Sequence, residues 1–226
     1  MEKSKEEKLR RRVIEQADSM FFTTGFSAVT MDDIAARLGM SKKTLYRLFK
    51  SKEDLLRAVM LRIVSEVEAT TDAVFEDENL GFLEKLHTVF SLIGFYVMRL
   101  RQPILDDIRR NAMDVWEEFD AWRQQRVLGK FGGLIRQGIA EGFIRQDLDP
   151  QLLTIIHATL MRRVMNPETL AQLPLSASQT FETLLTVFFE GILTPEARTK
   201  FRKPDDQQNQ VASLVQFVKP RTARED

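Results

Sequence analysis

Between Ser41 and Lys50 the sequence SKKTLYRLFK sets Lys42, Lys43, Arg47, Lys50, the Thr44 hydroxyl and the Tyr46 phenol close together, with no carboxylate among them. At 3.6 residues per turn, Leu45, Leu48 and Phe49 fall on one side of a helix and the polar set on the other. The chemistry on offer is recognition of a polyanion. Lys and Arg can donate to guanine O6 and N7, and Ser, Thr and Tyr hydroxyls can meet phosphate oxygens. A basic face also arises from solvation alone, so the neighbouring elements must decide between the two.

Those elements are written in the stretch Thr30 to Met60. A helix-turn-helix needs a small residue where its helices cross, a glycine in the turn and an aliphatic residue returning to the core; Ala35, Gly39 and Leu45 stand at the required spacings of four and six. Ile34, Leu38 and Leu48 fill the shared core. Thr30 with Asp33, and Ser51 with Asp54, have capping-box spacing, Asp replacing the usual Glu, and Ser41 caps the helix between them. The helix opening at Thr30 also presents backbone N–H groups suited to phosphate. A preceding helix over about Lys5–Thr24, with Leu9, Val13, Ile14, Ala17, Phe21 and Phe22 as its apolar stripe, stops at Gly25.

With these residues in place, the segment resembles the DNA-binding signature of the TetR (tetracycline-repressor) family. The pattern T-x-x-x-I-A-x-x-x-G, then L-Y-x-x-F, then K-x-K-x-x-L is met by Thr30, Ile34, Ala35, Gly39, Leu45, Tyr46, Phe49, Lys50, Lys52 and Leu55. Upstream, Ala17, Phe21, Gly25 and Phe26 fit the family's A-x-x-x-F-x-x-x-G-[FY]. The resemblance covers about residues 9–60. It implies a bacterial one-component repressor, with base contacts from Lys42, Lys43, Thr44 and Arg47 and phosphate contacts from Thr30, Ser41, Tyr46 and Lys50 on double-stranded operator DNA.

Composition agrees with this division. The chain of 226 residues has 33 Lys and Arg against 33 Asp and Glu. The balance is uneven, however: residues 1–60 carry 13 cations against 9 anions and the remainder 20 against 24, the asymmetry expected when one end meets phosphate. The absence of cysteine excludes disulfides, thiolate nucleophiles and Cys-ligated metals. No signal-peptide pattern opens the chain and no apolar run approaches the ~20 residues of a membrane span, so a cytoplasmic protein with no membrane partner is expected.

Helical periodicity recurs almost throughout, predicting an all-α fold: a three-helix helix-turn-helix domain over 1–50, an α-helical ligand-binding and dimerisation domain over 51–202, and a polar, flexible tail over 203–226. Past a long helix from Ser51 to about Glu76, helices are expected at about Leu80–Leu100, Pro103–Asn111, Val115–Gly138, Pro150–Met165 and Ala177–Leu193. Pro103 and Pro150 suit the first helical position, and Asp149 can cap the second of these. Gly132 and Gly133 mark a kink or a close helix contact. Leu214, Val215, Phe217 and Val218 could form a short docking segment.

No catalytic constellation, metal site or cofactor motif is present. His87 and His157 lack metal-ligand spacing, and Asp106 with Asp107, or Glu117 with Glu118, diverge around a helix. The middle of the chain is nevertheless rich in large soft side chains. The resemblance implies that this half encloses a small apolar or aromatic effector, and Phe90, Trp116, Phe119, Arg123 and His157 are its expected lining. In Ala177–Leu193, the residues Phe181, Leu184, Leu185, Phe188, Phe189 and Ile192 exceed one core stripe, so apolar surface is expected to remain for a partner. The resemblance implies that the last two of these helices from each protomer form a four-helix bundle, making a homodimer on a near-palindromic operator. Two alternatives stay open: a DNA-binding structural or division-related protein without an effector-controlled promoter, and a small-molecule enzyme with an incidental helix-turn-helix.

Overall fold

The computed structural model describes residues 2–202, apart from the side chains of residues 2, 3 and 126–129. The expected tail over 203–226, with Leu214 to Val218, lies outside the described residues. Eleven helices follow one another there: α1 Glu2–Thr24, α2 Met31–Arg37, α3 Lys42–Leu48, α4 Lys52–Glu76, α5 Phe82–Val97, α6 Gln102–Asn111, α7 Met113–Ala140, α8 Pro150–Val164, α9 Pro167–Leu170, α10 Ala177–Ile192 and α11 Pro195–Arg202. Among the described residues the fold is all-α, and an antiparallel bridge joins Ile144 to Leu193.

Caps divide the first hundred residues, as the lack of proline requires. Thr30 accepts from the Asp33 N–H at 3.1 Å and its own N–H donates to Asp33 Oδ2 at 2.9 Å, a reciprocal box. Ser51 accepts from the Asp54 N–H, but Asp54 turns back to the Lys50 N–H instead of Ser51, so only half of that box forms. Gly39 takes φ of +63° in the turn between α2 and α3, a conformation that a Cβ would strain.

Val13, Ala17 and Phe21 of α1, Ile34 and Ala35 of α2, and Leu45 and Leu48 of α3 form a buried cluster, completed by Phe49. That cluster does not stop at residue 50. It continues through Leu55, Leu56, Val59, Met60 and Ile63 of α4 into Ile104 and Ile108 of α6 and Val115 and Trp116 of α7. A second cluster joins α5, α7, α8 and α10 around Phe82, Leu86, Ile135, Leu153, Phe181 and Phe189.

Two glycines of α7 admit neighbouring helices. A Cβ on Gly132 would lie 3.3 Å from Thr154 Oγ1 of α8, which is the close contact expected there. A Cβ on Gly138 would stand 2.6 Å from the Phe82 ring and 2.7 Å from Ile144, both fully buried, so only glycine lets α5 approach the end of α7.

The observed helices differ from expectation in three places. Pro103 occupies the second helical position, because Arg101 is the N-cap and Gln102 the first helical residue. The short helices α9 and α11 were not expected from periodicity. Each begins with proline, after Asn166 and Thr194 respectively, whose side-chain oxygens accept from Glu168 N and Ala197 N.

The larger difference concerns α10. Phe181, Leu184, Leu185, Phe188 and Ile192 are all buried within the protomer, so these residues do not leave the apolar surface expected of them. The reason is the width of the covering layer: α5 and α8 both pack against α10, and Phe188 meets His157 edge to face and Phe131 at a tilt. The exposed apolar side chains instead belong to the other faces of these helices: Leu152, Ile155 and Ile156 on α8, and Val187 on α10, the last 69% exposed.

Candidate nucleic-acid interface and cavity

The polar face of α3 has the composition read from sequence, but its side chains are held to different degrees. Lys43, Tyr46, Arg47 and Lys50 are exposed, and among the described residues no ion pair holds any of the four side chains. Tyr46 is 48% exposed. Lys42 is drawn to Asp32 of α2 in an exposed ion pair, which raises its pKa, first through the hydrogen bond and then through the charge. Reaching a base would require Lys42 to leave Asp32. Ser41 Oγ accepts from the Thr44 N–H at 3.1 Å and lies 2.8 Å from Thr44 Oγ1, so these two hydroxyls start the helix. Thr30 likewise donates its hydroxyl to Asp33 Oδ2 at 2.6 Å, and this hydrogen bonding holds the Asp33 carboxylate below its ordinary pKa.

Two cations outside α3 fix the presentation of this face. Arg10 of α1 donates to the Leu48 carbonyl at 2.7 Å and lies 4.2 Å from the centre of the Phe49 ring, a cation at the C-terminal end of α3, where the helix dipole favours it. Lys52 donates to the carbonyls of Phe26 at 2.9 Å and Val29 at 3.0 Å and sits over the Phe26 ring. It ties the α1–α2 connection to the start of α4. Sequence spacing marked Lys52 only as a motif position and gave Arg10 no role; the signal for Arg10 lies 38 residues away from its partner and is not local.

The opposite half contains an apolar cavity of about 180 Å³. Phe90, Trp116, Phe119, Arg123 and His157 all line it. The structure therefore gathers into one space five residues that lie on three helices. Tyr96, Phe131 and Met161, which belong to the large soft side chains of the middle of the chain but not to the five expected lining residues, also line it; sequence reading missed the contribution of the N-terminal half, where Phe22 of α1 and Met60 and Ile63 of α4 complete the lining. Rings pack closely here: Phe131 and His157 stack with centres 3.7 Å apart, and Trp116 and Phe119 meet at a tilt with centres 5.3 Å apart. Burial first, and the charge of Arg123 second, lower His157 to about 3, so its imidazole is neutral near pH 7.

Ion pairs and hydrogen bonds connect the cavity to the N-terminal helices. Asp18 of α1 accepts from Arg62 of α4 at 2.7 Å and from Arg99, a lining residue after α5, at 2.6 Å. Arg62 also bonds Glu66, whose other oxygen accepts from Tyr96 at 3.1 Å. Asp107 of α6 accepts from the Ser27 N–H at 2.9 Å; burial opposes its charge, yet the hydrogen bonds from Ser27 and Asn111 keep its pKa below the ordinary carboxylate value.

Comparison with known proteins adds four findings. Residues 13–59 match the family model described as bacterial regulatory proteins, tetR family. The chain is similar to the HTH-type transcriptional regulator YvaF of Bacillus subtilis (strain 168), 26% identical over 189 residues, covering 82% of this chain and 96% of that protein. It is also similar to the HTH-type transcriptional repressor KstR2 of Mycolicibacterium smegmatis, 27% identical over 190 residues, covering 81% and 90% respectively. Among solved structures, a transcriptional regulator of the TetR/AcrR family from Thermobifida fusca YX-ER1 superimposes with a TM-score of 0.57 at 25% identity, covering 81% of this chain and 98% of that one.

Proposed function

Because the chain belongs to the tetR family of bacterial regulatory proteins, DNA-binding regulators of transcription, we propose that it is a dimeric repressor whose hold on operator DNA is released by a small apolar effector. The observation that carries this reading is the shared cavity wall. Phe22 of α1 and Met60 and Ile63 of α4 line the same space as Phe90, Trp116, Phe119, Arg123 and His157, so whatever fills that space touches the helices on which α3 rests.

DNA recognition is assigned to the exposed face of α3. Lys43 and Arg47 are the free cations for base edges, with Lys42 joining once it leaves Asp32, and Thr44 is the uncharged neighbour at the start of the helix. Tyr46 and Lys50 are assigned to phosphate, whereas Thr30 and Ser41 act first as caps and would reach phosphate only alongside that role.

Dimerisation is assigned to the outer faces of α8 and α10, where Leu152, Ile155, Ile156 and Val187 form the exposed apolar set. A two-fold dimer would set its two α3 helices about 34–36 Å apart, or a multiple of this, on a near-palindromic site. Effector binding needs only differential affinity for two separations of these helices, transmitted along α4 and through Asp18.

Substituting Lys43→Ala together with Tyr46→Ala tests the reading in a reporter driven by the chain's own upstream DNA. Raised promoter output is expected. Unchanged output, with the variant folded and abundant, would contradict the proposal and favour a DNA-binding protein without a controlled promoter.

A further inference from the structure

Among the described residues the lining of the cavity contains three cations, and each is already answered by a carboxylate. Arg99 donates to Asp18 at 2.6 Å and Arg123 to Asp120 at 2.5 Å, while Lys130 reaches Glu68 at 3.1 Å and Asp72 at 2.6 Å. Asp120 also accepts from Gln124 at 2.9 Å. An anionic ligand entering this space would shed its hydration and then compete with carboxylates for cations they already hold, which is costly in an apolar site.

One polar atom of a lining residue is different, although it is closed off in this structure and a ligand must part the surrounding rings to reach it. His157 is 8% exposed, lies in a cage of Phe131 and Phe188, and its Nε2 has no hydrogen-bond partner among the described residues. A buried, unpaired ring nitrogen favours any ligand that brings it a partner. From these observations, and resting on the effector reading above, we infer that the cavity takes an uncharged, largely apolar molecule carrying one hydroxyl or carbonyl oxygen that pairs with His157 Nε2. A hydroxyl serves either tautomer of the imidazole, as acceptor from Nε2–H or as donor to its lone pair; a carbonyl serves the Nε2–H form. The volume is somewhat larger than the roughly 150 Å³ of an apolar cavity known to hold benzene, so a two-ring probe suits it.

The test compares naphthalene, 2-naphthol and 2-naphthoate as ligands of the full chain at pH 7, by calorimetry or by displacement of a fluorescent dye. 2-Naphthol is expected to bind about tenfold more tightly than naphthalene, and 2-naphthoate more weakly than either, one paired nitrogen being worth about 1.4 kcal/mol. His157→Leu should bring naphthol and naphthalene to equal affinity while naphthalene binding persists, and His157→Gln should restore part of the difference. The order of the three ligands on the unaltered chain stands as a test even if a variant fails to fold. Tightest binding of naphthoate, or equal binding of naphthol and naphthalene, would overturn the inference but leave the effector cavity in place. Failure of all three to bind would overturn the effector reading as well.

Discussion

Lys52 stands at a position where a basic residue in a DNA-binding segment invites a phosphate contact, yet its ammonium is spent on the carbonyls of Phe26 and Val29. Lys52→Met is therefore expected to lower stability by about 1–3 kcal/mol in urea melts, because those carbonyls lose a charged donor. It should also weaken DNA binding without changing the salt dependence. Loss of about one unit from the slope of log K against log salt would instead identify Lys52 as a phosphate contact. His157 carries a second prediction. Its folded value of about 3 lies below the ordinary 6.5, so between those limits the unfolded chain binds a proton that the folded chain refuses. Its contribution is complete above pH 6.5 and falls as the solution is acidified, by up to about 1.4 kcal/mol per pH unit. Chemical denaturation from pH 7 to 4.5 should show a shallower acid loss for His157→Leu than for the unaltered chain, and parallel profiles would contradict the assignment.

Among the elements, α8 and α10 illustrate what helical periodicity can and cannot say. Counting apolar residues along α10 finds an excess for a narrow stripe, but it does not show whether that excess meets a partner or a wide covering layer. Here α5 and α8 cover it, and the outer faces are left to Leu152, Ile155, Ile156 and Val187. Ile155→Glu with Val187→Glu is expected to convert a dimer to a folded monomer in sedimentation or light scattering, whereas Phe188→Ala should cost about 3–5 kcal/mol of stability through a cavity in the core. A dimer unaffected by the two charges would place the interface elsewhere. The N-terminal elements were far more legible, because caps and the Gly39 turn act within three or four residues of the amino acids that cause them. Arg10 on Leu48, and Asp107 on Ser27, connect residues 38 and 80 positions apart, and no local pattern announces such pairs. The five lining residues expected from the resemblance do meet in space, but Phe22, Met60 and Ile63 join them only because α4 packs against α5 and α7 and α1 packs against α4.

At the scale of the whole molecule, the zero net charge conceals a division of labour: a cationic N-terminal quarter presents α3, and the remainder surrounds an apolar cavity. The two are not separate bodies joined by a linker. One hydrophobic cluster runs from α1 to α7, Asp18 is bonded to both Arg62 and Arg99, and α4 belongs to the helix-turn-helix core at one end and to the cavity at the other. Under the proposed function, a ligand in that cavity would act on the spacing of α3 through these packed side chains. The proposed function depends first on α3 reading DNA. The most direct measurement is fluorescence anisotropy of the purified chain on a duplex from its own upstream region and on a random duplex of equal length, between 50 and 200 mM salt. At least about a thousandfold preference for the upstream duplex and a steep linear fall of log K with log salt are expected. Equal affinity for the two duplexes across that range would contradict the proposed function.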